Sequence, residues 1–102
     1  MSEAQLKIAE SNGLSNSEWQ ARKNDAVARA QGNIAPVFVE RAAGSEIWDV
    51  EGKRYIDFGT GIAVCSAGHS HPKITAAVIE QVQKFSHTCV MVTPYDSSVR
   101  LA

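Results

Sequence analysis

Three short β-forming runs, each closed off by glycine, constrain this chain more than any other feature. Pro36 to Arg41 carries Val37, Phe38 and Val39; Glu46 to Val50 carries Ile47, Trp48 and Val50; Arg54 to Phe58 carries Tyr55, Ile56 and Phe58. Ala43-Gly44-Ser45 joins the first two runs and Glu51-Gly52-Lys53 the second and third. Joints this short force neighbouring strands to run antiparallel, and glycine supplies the positive φ that tight turns need. The prediction is a three-stranded antiparallel meander.

The flanks read as helix. Residues 1–14 are polar and weakly patterned, and are expected to form a flexible tail. Ser15-Asn16-Ser17-Glu18 matches the S-x-x-E capping box, so a helix should start there and run to about Ala30, with Gly32 as its stop. After the meander the texture changes. Gly59 to Gly68 is small and Gly-rich, an irregular loop whose backbone passes close to something. Pro72 suits the first turn of a helix, and Ile74, Val78, Val82 and Phe85 fall on one face of it, which should end near Phe85. Thr88 to Thr93 is rich in β-formers. A new helix is expected at Pro94-Tyr95-Asp96-Ser97, capped by Asp96 or Ser97. Only about one turn follows, so the sequence is expected to stop within an element rather than at a natural boundary.

The chemistry-bearing residues exclude more than they assign. A net charge of −1 gives no electrostatic case for nucleic acid or an anionic membrane. The longest apolar stretches, such as Ile62 to Cys65, fall far below the roughly 20 residues of a membrane helix. Cys65 and Cys89 form no C-x-x-C pair; they read as buried small hydrophobes in a reduced, cytoplasmic setting. Gly59-x-Gly61 departs from the dinucleotide fingerprint at Val64, and no Walker sequence is present. His69-x-His71 lacks the further ligands of a metal centre and reads as a histidine pair bonding the turn before a helix. Asp49, Glu51 and Asp57 read as hairpin carboxylates bonded to nearby N–H groups or to solvent.

Taken as one string the residues say more. Trp48-Asp49-x-Glu51-Gly52-x-x-Tyr55-x-Asp57-Phe58-x-x-Gly61-Ile62-Ala63-Val64, followed by Gly68-His69-x-His71-Pro72, resembles the N-terminal signature of class III transaminases across about residues 34–100. Ser86-His87-Thr88-Cys89 is most similar to the 4-aminobutyrate branch. The resemblance implies an α+β segment (N-terminal helix, three-stranded meander, Gly-rich loop, helix) of an α/β fold-type-I transferase. Residues 15–102 would lead from its small domain into the large one. It further implies pyridoxal 5'-phosphate as cofactor, 2-oxoglutarate as amino acceptor, and a homodimer. By the same resemblance Ile62 and Met91 line the substrate pocket. The sequence departs from the pattern at Thr60, where the relatives carry glycine, and at Met91, where they carry glutamine, and a thioether offers none of an amide's donors. The donor is left open among 4-aminobutyrate, 5-aminovalerate, other ω-amino acids and diamines. The five lysines (Lys7, Lys23, Lys53, Lys73 and Lys84) lack the context of a cofactor-binding lysine, so no catalytic or cofactor residue is assigned and the chain alone is expected to be inactive. Two other readings remain: a short product that docks on a complete transaminase subunit, or a remnant without function.

Overall fold

The computed structural model describes residues 13–102, so most of the expected tail lies outside the described residues. The chain divides into two compact units at Ser70/His71.

In the first unit, helix α1 spans Asn16–Ala26. Its start follows the capping box as expected. Glu18 N donates to Ser15 Oγ at 3.3 Å, and Ser15 N donates back to Glu18 Oε2 at 2.8 Å. That bond and the serine hydroxyl hold the Glu18 pKa below its ordinary value. The end departs from the expected Ala30. Val27 leaves the helix with φ −106° and ψ 139°. Lys23 Nζ donates to Gln31 O at 2.6 Å and to Asn33 Oδ1 at 2.9 Å, while Asn33 Nδ2 donates to Gln20 Oε1 at 3.0 Å. These bonds fold residues 27–33 back along the helix instead of extending it.

The meander is present, with order β1-β2-β3 and both pairings antiparallel. Strands β2, Glu46–Asp49, and β3, Arg54–Ile56, fall within the expected runs. Strand β1, Val39–Ala43, is shifted towards the C-terminus of its run. Pro36 has no N–H to give, and the Phe38 N–H is taken at 2.7 Å by Asn16 Oδ1 from α1. Pairing therefore starts at Val39 and reaches the hairpin, where Ala43 faces Glu46. The register slips between Val39 and Arg41, leaving Glu40 as the extra residue of a bulge. Gly44 turns the hairpin with φ 57°. Arg41 and Trp48 are cross-strand partners, and the guanidinium carbon lies 3.6 Å from the indole centroid.

What locks α1 to the meander is polar. Asp49 is the one buried residue among those described, at 1% exposure, and no hydrophobic side chain among them is buried. Its carboxylate accepts from Glu51 N (3.0 Å), Lys53 N (2.8 Å), Asn16 Nδ2 (3.0 Å) and Tyr55 Oη (2.9 Å). Burial pushes the Asp49 pKa up, but these four donors outweigh it and hold the group ionised, below its ordinary value. Burial and the bond to Asp49 raise the Tyr55 phenol. Trp19 of α1 stacks on Phe38, with centroids 6.2 Å apart.

The second unit holds α2, Pro72–Lys84, and α3, Asp96–Leu101. Pro72 opens α2 as expected, and the helix ends one residue before Phe85. Its face of Ile74, Val78 and Val82 is exposed, and lines an open cavity of about 650 Å³. Residues 88–93 form turns, not a strand. Thr88 and Thr93 each donate a hydroxyl to the other's carbonyl at 2.9 Å, and Cys89 turns the chain with φ 55°. Tyr95, without a side-chain bond, stands at the N-cap of α3. Asp96 is instead its first residue, paired with Arg100 at 2.8 Å.

Candidate functional site

The expected irregular loop contains the longest run of positive φ among the described residues. Thr60, Gly61, Ile62 and Ala63 have φ of 47°, 61°, 56° and 63°, a left-handed turn in which only one residue is glycine. Left-handed backbone costs a side-chain-bearing residue roughly 1–2 kcal/mol, and a β-branched isoleucine is poorly suited to it. Bonds from Ile62 N to Gly59 O (2.8 Å) and from Val64 N to Thr60 O (2.9 Å) close the turn. Ile62 projects from it at 95% exposure.

A carboxylate–imidazole clasp holds the entry to this turn. Asp57 Oδ1 accepts from Gly59 N at 3.0 Å and Thr60 N at 2.9 Å, and Oδ2 lies 2.6 Å from His69 Nε2. An ionised carboxylate only accepts, so the imidazole donates from Nε2. The His69 bond first, then the Thr60 N–H, hold the Asp57 carboxyl below its ordinary pKa against the opposing effect of burial. His69 is anchored in turn. Its N–H donates to Gly44 O at 2.8 Å, and its carbonyl accepts from Gly44 N at 2.9 Å. Gly68 allows this approach, because a Cβ there would meet Gly44 O at 3.2 Å. Asp57, Thr60, Cys65 and His69 line a cavity of about 430 Å³.

Two expectations for these groups are corrected. His69 does bond the loop before a helix, but through Asp57, a partner not paired with it from sequence. His71 stands at the N-cap of α2 without a side-chain capping bond. Cys65 is half-buried, whereas Cys89 is exposed rather than a buried hydrophobe. Met91 lies in the second unit at 89% exposure, on the turns between Thr88 and Thr93. Among the described residues, no three His, Cys, Asp or Glu side chains group to hold a metal ion. No helix among those residues is long and apolar enough to cross a membrane.

The described lysines do not fit pyridoxal phosphate. Lys23 is tied to Gln31 and Asn33, Lys84 is ion-paired with Glu80 at 2.6 Å, Lys53 lies 5.1 Å from the Tyr55 ring centroid, and Lys73 is exposed at the start of α2. These residues do not assemble an imine-forming lysine facing an acid for a pyridine nitrogen, and none of them carries a chemical step through that cofactor.

The profile of the family described as aminotransferase class-III matches residues 26–102. The chain belongs to the class III aminotransferases. It is 47% identical over 87 residues to the 4-aminobutyrate aminotransferase GabT of Escherichia coli (strain K12), covering 85% of this chain and 20% of that protein. To the 5-aminovalerate aminotransferase DavT of Pseudomonas aeruginosa it is 54% identical over 81 residues, covering 79% and 19%. In structure it is similar to the ornithine aminotransferase of Toxoplasma gondii, which was crystallised with partial occupancy of pyridoxal phosphate at its active site. The TM-score is 0.75 at 24% identity, over 86% of this chain and 20% of that one. The fold is thus that of a segment of a fold-type-I aminotransferase. The chain spans about one fifth of the length of the relatives it matches.

Proposed function

We propose that this chain forms the N-terminal part of a pyridoxal-phosphate-dependent transaminase that moves an amino group from an ω-amino acid to 2-oxoglutarate, as a cytoplasmic homodimer. The observation that carries this reading is the 47% and 54% identity to aminotransferases named for 4-aminobutyrate and 5-aminovalerate. Those donors differ by one methylene, a difference worth only about 1–3 kcal/mol in an apolar pocket. Small changes in the apolar lining therefore select between them. Ile62 and Met91 are the two such groups assigned to the donor pocket. Both present apolar side chains to the exterior of this chain, which suits groups that meet a ligand or another part of the subunit. Cofactor attachment is assigned to parts of the complete subunit other than these residues, so the chain alone is inactive.

Incubating the complete subunit with pyridoxal phosphate, 2-oxoglutarate and each donor in turn tests the proposal through glutamate release. Glutamate is expected from one or both donors, and none from the 102-residue chain alone. Failure of the complete subunit with both donors would refute the assignment.

A further inference from the structure

The left-handed turn is strained at three side-chain-bearing residues, and the other described residues leave Ile62 uncovered. Ile62 is 95% exposed and Val64 76% exposed. Backbone bonds close the turn, and the side-chain interactions that tie it to the rest of the unit lie at its entry. Asp57 accepts from the Gly59 and Thr60 N–H groups and binds the His69 imidazole, which the paired Gly44 backbone anchors on the β1–β2 hairpin. Ser70 Oγ adds a bond to Ala42 O in β1 at 3.2 Å. The clasp thus ties the turn to the most regular part of this unit. Strain retained at an exposed position by surrounding structure is a signature of pre-organisation.

We infer that Asp57 and His69 are positioning residues for the amino donor: they keep Thr60–Ala63 left-handed so that Ile62 presents its side chain to the donor's carbon chain. This rests on the assignment of Ile62 to the donor pocket proposed above, and adds the groups that set its pose. With the clasp broken, the turn relaxes towards negative φ and the Ile62 Cα–Cβ bond points elsewhere. The donor then loses a contact that it makes in both ground and transition states. Such a loss raises KM and spares kcat.

The test is made in the complete enzyme with His69→Ala, Asp57→Asn and His69→Gln. His69→Ala and Asp57→Asn are expected to raise the KM for 4-aminobutyrate and 5-aminovalerate about tenfold, with kcat within about twofold. His69→Gln retains an N–H for Asp57 Oδ2 and is expected to return KM to within about threefold of wild type. A residue that only supports folding would lower kcat through fewer intact sites and leave KM alone. Unchanged KM in His69→Ala, a fall in kcat alone, or equal KM in the Ala and Gln variants overturns the inference. If the wild-type enzyme turns over neither donor, the proposed function falls, and amide exchange still decides on the clasp. The Ile62 and Val64 amides should exchange about tenfold faster in His69→Ala and near the wild-type rate in His69→Gln. Unchanged exchange in His69→Ala overturns the clasp itself.

Discussion

Replacing Asn16 by alanine should release α1 from the meander while leaving the Asp57–His69 clasp in place. The Asn16 side chain makes three bonds across this junction. Its Nδ2 donates to Asp49 Oδ2 at 3.0 Å and to Glu51 Oε2 at 2.5 Å, and its Oδ1 accepts from Phe38 N at 2.7 Å. Alanine removes all three. Glu51 is exposed and regains water at little cost. Asp49 is buried but keeps Tyr55 and the Glu51 and Lys53 N–H groups as donors. The loss is therefore far from the sum of three strong bonds, and comes to about 2 kcal/mol. That corresponds to roughly 30-fold in a local opening constant, at about 1.4 kcal/mol per decade. Native-state hydrogen exchange in the complete subunit reads it. The Trp19 amide, bonded to Ser15 O in the first turn of α1 and not to the altered side chain, should exchange about 30-fold faster, and the Gly44 amide, bonded to His69 O, should change by less than about twofold. Asn16→Asp makes a stricter comparison. It keeps an acceptor for Phe38 but turns two donors into a charge facing Asp49 and Glu51, so it should open the junction more than alanine does. Equal acceleration at Trp19 and Gly44 would mean that the unit opens as a whole. Asp behaving better than Ala would mean that the donors to the carboxylates are not what holds α1.

Two further outcomes follow from the same bonds. Asp49 and Asp57 both have folded pKa values below the ordinary 3.8. The unfolded chain therefore binds more protons in that range, and stability rises with pH there. Their contribution is complete above about 3.8 and disappears as pH falls through the lower folded values. An acid titration followed by tryptophan fluorescence should show a shallower loss in Asp57→Asn than in wild type, and identical profiles would contradict the assignment. Two glycines of the clasp should also differ in tolerance. Gly44 has φ 57° with open space around it, so Gly44→Ala carries backbone strain alone, about 1 kcal/mol. Gly68 has φ 82°, and an added Cβ would press on the Gly44 backbone, so Gly68→Ala should cost about 2–3 kcal/mol in denaturant midpoints. A Gly68→Ala variant no worse than Gly44→Ala would show that the close approach is not needed.

How much of this was legible depends on how local each determinant is. The start of α1 was visible because Ser15 and Glu18 sit within four residues and bond each other. Its end was not, because Lys23 decides it by reaching Gln31 and Asn33, eight and ten residues on. The meander followed from Gly44 and Gly52, but the shift of β1 comes from Asn16, 22 residues before the Phe38 amide that it takes. The loop was recognisable as irregular from its glycines. Its handedness was hidden, because three of the four left-handed positions carry side chains that ordinarily avoid such backbone. The bonds of Asp57 to nearby N–H groups and of His69 to the loop before a helix followed from sequence, but not the pairing of the two side chains with each other. Their pairing requires the Gly44–His69 bridge, which hydrophobic periodicity does not encode. The family signature includes both residues, and so carried long-range information that pattern reasoning on single segments lacks.

The distribution of polar and apolar contacts bears on how such a segment works. Among the described residues the deepest side chain is a carboxylate with four donors, and the large apolar groups remain at least partly exposed. Polar bonds of this kind have strong directional requirements but small net free energies, about 1 kcal/mol each. They specify angles and registers; apolar burial supplies most of the driving force for folding. Here the capping box, the Asp49 hub and the Asp57–His69 clasp fix local geometry. The Ile74, Val78 and Val82 face of α2 offers apolar area that none of the described residues buries. In a class III aminotransferase subunit about five times this length, that division of labour is coherent. The segment carries its own instructions for the shape of the turn bearing Ile62, and its exposed apolar face leaves stability to be gained by packing. Replacing the Asp57 or His69 side chain should then raise the KM for the donor at little cost to the folding of the whole subunit, whereas polar substitutions at Val78 or Val82 should cost folding and leave KM unchanged.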